Sequence, residues 1–209
     1  MGKVLTISRE YGTNGRAIAR RVADELGWHY YDAELIQLAA KKLDRTVDEV
    51  EPYDDQEVIR TNSHGGRYVG GAFPYYFSDR KKKAELFAAE RQIIGEIAAG
   101  EEDAVIVGRA ADYILTRAGH PDLFRVLISA SYENRYLNVV EEFGIPKGST
   151  AREEIKLIDK ARYQYYEAIT GQDFNCPKYR DVVINNEWHD DDYTVRMILL
   201  LVGQRFPEN

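Results

Sequence analysis

One cysteine, Cys176, stands among 209 residues. A single thiol excludes an internal disulfide and a cysteine-built metal site, and it suits a reducing compartment. No apolar run approaches the ~20 residues that span a bilayer. The N-terminal segment lacks the apolar core of a signal peptide. An excess of positive charge is missing too: the formal net charge is −7. That balance argues against nucleic acid or an anionic membrane as a partner of the whole surface. The histidines, His29, His64, His120 and His189, lie far apart, and no pair has zinc-like spacing. Spacing supports no nucleophile–histidine–acid arrangement, and there are no repeats or low-complexity tracts. The expectation is a soluble, cytoplasmic protein with no metal site of its own side chains and an oligomeric state left open.

What is present is ordinary for a globule: 44% hydrophobic and 30% charged residues. Short apolar runs, Val4–Ile7, Trp28–Tyr31, Ala104–Val107, Leu123–Ile128 and Asp181–Ile184, read as strands. Between them, helical spacing predicts Gly15–Leu26, Ala33–Leu43, Lys81–Ala99, Ala110–Arg117, Tyr132–Phe143, Ala151–Thr170 and Asp191–Arg205. Asp32 reads as an N-cap, and Gly27 and Gly171 as C-caps. The alternation predicts an α/β domain over 1–209, a three-layer parallel sheet with helices on both faces. Residues 44–80, rich in glycine and tyrosine, read as a loop-rich insert, in which Tyr68 to Tyr76 are candidates for a base pocket. Ligands of such sheets bind beyond the carboxyl ends of the strands.

Four strand ends carry chemistry. "SREYGTNGRAIA", residues 8–19, runs from a strand through a glycine-containing turn into a helix. Backbone N–H groups of such a turn, with the helix N-terminus, cradle phosphate. Gly12, Asn14 and Gly15 supply permissive positions, and Arg16 stands where the G-x-x-x-x-G-K-[ST] motif has lysine. Glu10 replaces its first glycine, and Ala17 lacks the hydroxyl that helps hold Mg²⁺. Arginine keeps phosphate affinity through paired hydrogen bonds. The bland alternative is a tight turn with a solvated arginine. "VIVGRAAD" delivers Gly108 and Arg109 to the same edge. In "DKARYQYYEAITG", Asp159 and Arg162 are i and i+3 and share a helix face; a surface ion pair is the alternative there. Arg135 lies one helical turn beyond a strand end, while Arg152, Lys156 and Lys160 add charge nearby. Asp32 ends the second strand, either as a plain cap or as a contact to an acceptor. "RKKKAE", 80–85, reads as a solvated helix start.

In combination, "LTISREYG", "GRAIARRVADELG", "YYDAELI", "VIVGRAADYIL", "FRVLISA", "DKARYQYYEAITG" and "YRDVVIN" resemble the cytidylate kinase-like family, a branch of the nucleoside monophosphate kinases. The pieces stand in the right order and cover most of the chain outside 44–80. An arginine in the loop is usual for this branch. The resemblance implies a P-loop kinase fold with an acceptor-binding insert and a lid at about 135–165. It implies ATP and Mg²⁺ as cofactors and phosphoryl transfer to a nucleoside monophosphate such as CMP. By that likeness Gly12, Thr13, Asn14, Gly15 and Arg16 hold ATP phosphates, while Arg16, Arg135, Asp159 and Arg162 act in transfer. Asp32 and Arg109 bind the acceptor. The family's Gly-Arg-Asp segment reads Gly108-Arg109-Ala110 here, which leaves Asp112 as a candidate for the missing aspartate. The alternative is a nucleotide-binding sensor that has lost transfer.

Overall fold

The computed structural model describes residues 1–54, 59–61, 67–69, 80–188 and 190–207. Five strands form one parallel sheet: β1 (Val4–Arg9), β2 (His29–Tyr31), β5 (Ala104–Val107), β6 (Leu123–Ser129) and β7 (Val182–Asn185), in the order β2-β5-β1-β6-β7. β1 is central and buried along its whole length. Its side chains alternate between two cores, as a two-residue period requires. Val4, with Ile106 of β5, faces α2 (Ala33–Lys42), α4 (Arg80–Ala99) and α5 (Ala111–Ala118) through Leu35, Ile94 and Leu115. Leu5 and Ile7, with Val105 and Val107, face α1 (Gly15–Leu26) and α8 (Asp191–Arg205) through Ile18, Val22, Val195 and Ile198. Near-continuous apolar strands follow from this two-sided burial. The three-layer parallel α/β architecture expected from the alternation is the one found.

Several helix ends follow local chemistry, and Asp32 shows where tertiary pairing overrides it. Gly27 adopts φ 67° and closes α1, with Trp28 N–H donating to Ala23 O. Gly171, φ 65°, closes α7 (Ser149–Thr170). Asp32 stands at the N-cap of α2, but its carboxylate makes no cap there; it is spent on Arg16 and Tyr30 instead.

Among the described residues of 44–80 there is some regular structure. Thr46 and Glu49 form a reciprocal capping box on the short helix α3 (Val47–Val50), a 3₁₀ turn follows over Glu51–Tyr53, and β3 (Ile59–Thr61) pairs antiparallel with β4 (Arg67–Val69). The expectations for His64, for His189 and for a base pocket at Tyr68 to Tyr76 rest on side chains outside the described residues.

Beyond β6, α6 (Tyr132–Glu141) and α7 pack over the β1–α1 loop through Tyr11, Val139, Ile155 and Ile158. The buried face of α7 also carries Glu154, Asp159 and Arg162. A helix that reads as polar thus turns charge inward, toward the loop.

Candidate active site

The loop from Arg9 to Asn14 has an unusual hydrogen-bond pattern. Each of its six successive carbonyls accepts a bond from a donor outside the loop's mouth or from the loop's own framework. Arg162 Nη1 reaches Arg9 O at 3.3 Å, Thr13 Oγ1 reaches Glu10 O at 2.8 Å, and Arg135 Nη1 reaches Tyr11 O at 3.1 Å. Asn138 Nδ2 takes Gly12 O at 2.9 Å, Asn186 Nδ2 takes Thr13 O at 2.9 Å, and Ile18 N–H takes Asn14 O at 3.0 Å. With the carbonyls tied in this way, and the Glu10 and Tyr11 N–H groups bonded to Ile128 O and Asp159, the N–H groups of Gly12 to Gly15 are the ones the loop can offer an anion. The first turn of α1 adds donors that no helix satisfies internally. Two residues hold the required left-handed backbone: Gly12 at φ 84° and Asn14 at φ 55°. A Cβ on Gly12 would stand 2.7 Å from Arg135 O.

Charge around the loop is matched closely. Arg135 pairs with Asp159, and Asp159 also accepts the Tyr11 N–H at 2.9 Å. Burial works against the Arg135 charge, but Asp159 outweighs it and lifts the guanidinium above its ordinary range. Glu10, at the place of the motif's first glycine, is held between β6 and α7: Ser129 Oγ donates at 2.7 Å and Tyr163 Oη at 2.8 Å. Burial, with Asp159 and Glu10 beside it, raises the Tyr163 phenol, so it remains a donor. Asn14 Nδ2 bridges Glu142 at 2.6 Å and Asp191 at 3.2 Å.

Two hollows meet at this loop. One, about 260 Å³, is lined by the loop, Phe143 and Arg162. The other, about 400 Å³, lies toward β2 and is lined by Arg16, Ala17, Arg20, Tyr30, Asp32 and Glu34. Arg16 and Ala17 border both. Arg16 is half-exposed, with Nε 3.0 Å from Asp32 Oδ2. Tyr30 donates to Asp32 at 3.2 Å, and Arg20 lies 3.7 Å over the Tyr30 ring. Burial, then Asp32, pushes the Tyr30 phenol up to about 12.

The sequence candidates divide accordingly. Gly12, Thr13, Asn14, Gly15, Arg16 and Arg162 surround the first hollow, with Arg135 and Asp159 behind its loop. Asp32 borders the second. Arg109 is brought against Asp32 but is fully buried. Its Nη1 donates to Asp32 O at 2.8 Å, Nη2 meets Asp54 at 2.7 Å and Nε meets Glu90 at 3.2 Å. It sits in a left-handed run, Gly108-Arg109-Ala110, with φ of 76°, 51° and 51°. Such a run at two L-residues costs roughly 1–2 kcal/mol each and persists only when the surroundings fix it. Asp112 turns to Arg180 and Tyr166, inside a cluster with Phe174. Sequence reasoning passed over Asn138, Asn186, Asp54 and Glu90, whose roles depend on pairings distant in sequence. Glu10 was visible as a break in the motif.

ATP phosphates suit this loop, because the backbone of Gly12 to Gly15 and the guanidinium side chains of Arg16 and Arg162 line its hollow. A loop-held Mg²⁺ suits it poorly. Ala17 offers no oxygen, Thr13 Oγ1 is spent on Glu10 O, and Ser8 Oγ lies 3.5 Å from Asp112.

Among solved structures, an uncharacterized protein from Eubacterium ventriosum ATCC 27560 is 22% identical, with 96% of this chain and 98% of that chain covered and a TM-score of 0.68. A shikimate kinase from Acinetobacter baumannii, in complex with shikimate, is 11% identical over 100% and 97%, TM-score 0.53. A gluconokinase from Sinorhizobium meliloti 1021 is 13% identical over 97% and 92%, TM-score 0.52. No curated protein sequence matches the chain. At these identities the likenesses establish the fold, that of the P-loop kinases. The model of the cytidylate kinase-like family matches residues 4–188, and the chain belongs to that family.

Proposed function

We propose that the protein transfers the γ-phosphoryl group of ATP to a small acceptor. The observation that carries this reading is the loop whose six carbonyls are all tied, beside a second hollow that shares Arg16 with it. ATP supplies the phosphoryl group and ADP leaves. Arg16 and Arg162 offset charge as the group crosses, since catalysis of this transfer is mostly positioning and electrostatic stabilisation. Arg135 and Asp159 hold the loop's shape, and α6–α7 serves as a lid that excludes water. Any Mg²⁺ would be held by the nucleotide's phosphates, not by this loop, and would supply charge neutralisation there. The family's description supports a nucleoside monophosphate such as CMP as acceptor; a shikimate kinase and a gluconokinase of the same fold support a hydroxylated one. The two differ in the attacking atom.

The test is ADP formation from Mg-ATP with CMP, dCMP, UMP, AMP, GMP, shikimate, gluconate or no acceptor. Acceptor-dependent turnover that Arg16→Ala lowers by ~10²-fold or more is expected. Unchanged turnover in Arg16→Ala removes the arginine from the chemistry. A sensor is the second reading, favoured by Ala17 at the place of the hydroxyl. It predicts saturable ATP binding with no product.

A further inference from the structure

A helix laid on a sheet normally buries one apolar stripe and keeps polar residues outside. α8 carries two apolar stripes. The inner one, Val195, Ile198 and Val202, packs with α1 and the sheet. The outer one runs through Tyr193, Met197 and Leu200 to Gln204. Leu200 is 65% exposed and Tyr193 42%, and Met197 is half-buried. Steps of four, three and four residues are the seam spacing of helices that pack side by side. Asp192 meets Arg21 of α1 at 2.7 Å, which marks the α1 side of the helix. At about 100° per residue, the outer stripe turns away from α1, toward the margin of the molecule beyond β7. β7 ends the sheet, and edge strands commonly carry a charge or a proline against pairing. β7, Val-Val-Ile-Asn, has neither. Val183 on it is 51% exposed, and Trp188, just after it, is 79% exposed. Of the six large apolar side chains exposed among the described residues, four thus lie between Val183 and Leu200. Apolar surface gathered at one margin marks a protein contact, whereas single exposed residues do not.

We infer that a second copy of this chain covers this margin, with α8 antiparallel to α8 about a twofold axis beside β7. A twofold contact requires a patch that complements itself, and this patch does so in spacing and in charge. With the axis level with the midpoint between Met197 and Leu200, Met197 of each copy meets Leu200 of the other, and Tyr193 meets Gln204. Asp190, Asp191 and Asp192 at the start of one helix come over the end of the other, which carries Arg205. A parallel pairing would set three aspartates over three. Gly203 lies beside the seam, and a Cβ there would meet nothing within 4 Å. Its missing side chain leaves room for Arg196 of the other copy. The same axis sets the two β7 edges antiparallel and facing, and it draws Val183 and Trp188 into the contact. A foreign partner has no need of this symmetry of stripe and charge, whereas a second copy depends on it.

The test is sedimentation equilibrium of the full chain over ~1–100 µM. The mass of two chains is the expected result. Leu200→Glu sets two carboxylates in the seam and should raise the dissociation constant by ~10²-fold or more, with the circular dichroism spectrum unchanged. Cross-linking in a Cys176→Ser background reads the order of the helices and does not depend on that substitution. Tyr193→Cys chains mixed with Gln204→Cys chains should form mixed disulfides on mild oxidation. Tyr193→Cys chains alone should not, because antiparallel helices hold those two positions roughly 16 Å apart along the axis. Single chains at the highest concentration overturn the inference. A dimer that Leu200→Glu leaves intact places the contact elsewhere and overturns it too. Disulfides formed by Tyr193→Cys alone overturn the antiparallel pairing.

Discussion

Replacing Arg109 with methionine separates a buried tie from a ligand-binding arginine. Methionine roughly keeps the aliphatic stem and removes the charge. Asp54 and Glu90 then lose the guanidinium that meets them at 2.7 and 3.2 Å, in a place without solvent. Removing one partner of a buried ion pair costs about 3–5 kcal/mol, because the other charge is left uncompensated. For a chain of this size each kcal/mol moves Tm by roughly 2–4 °C, which gives a loss of about 6–20 °C. The comparison that fixes the cause is Arg109→Met with Glu90→Gln added. Neutralising one stranded carboxylate should recover ~1–3 kcal/mol relative to the sum of the single changes. Thermal denaturation by circular dichroism, and urea midpoints with their slopes, read both values. An exposed arginine that waits for an acceptor predicts another outcome: a change within ~0.5 kcal/mol and a raised KM for the acceptor. A Tm loss below about 3 °C with such a KM change refutes the buried-tie reasoning.

Three further outcomes follow from the loop and its neighbours. Gly12→Ala should cost roughly 2–4 kcal/mol, from the left-handed backbone and the Cβ 2.7 Å from Arg135 O; a fluorescent ATP analogue should show weakened binding in the same variant. Asn14→Asp sets a third carboxylate against Glu142 and Asp191, so it should lower stability at pH 7 by ~1–3 kcal/mol. That deficit shrinks as the pH falls toward about 4 and the cluster takes up protons; a deficit independent of pH in urea melts counts against repulsion as its cause. The Tyr30 phenol is raised from 10.0 to about 12, so its contribution is complete below pH 10 and is lost as the pH rises through 12. Tyr30→Phe should flatten the fall of stability in that interval, and equal slopes for the two proteins exclude Tyr30 as a source of it.

Much of this frame was legible because its signals are local. A run such as Val4–Ile7 flanked by glycine and polar residues admits few structures. Gly27 and Gly171 mark helix ends through a backbone conformation that glycine adopts easily. The phosphate loop announced itself by glycine spacing before a helix, although its first glycine is Glu10. The fate of Arg109 was not legible. Its partners Asp32 and Asp54 lie 77 and 55 positions away, and no period or motif ties such distances together. Asp32 read as a cap because short polar side chains before a helix usually cap, yet tertiary pairing with Arg16 took its carboxylate. Asp112 reads as a stand-in for a missing aspartate, and nothing local in the sequence announces its pairing with the distant Arg180. On α7, charges normally mark the solvent side; here Glu154, Asp159 and Arg162 mark the side that grips the loop.

The central position of β1 has a consequence for how the protein is made. Both strands that flank it, β5 and β6, begin about a hundred residues later, at Ala104 and Leu123. At roughly 5–20 residues per second, a ribosome takes about 5–20 s to supply them. Through that interval the central strand of the sheet has no partner to hydrogen-bond, which is when nascent chains meet chaperones or one another. The carbonyls of Tyr11 and Thr13 wait longer still, for Arg135 and Asn186. The phosphate loop is thus translated well before the residues that complete it.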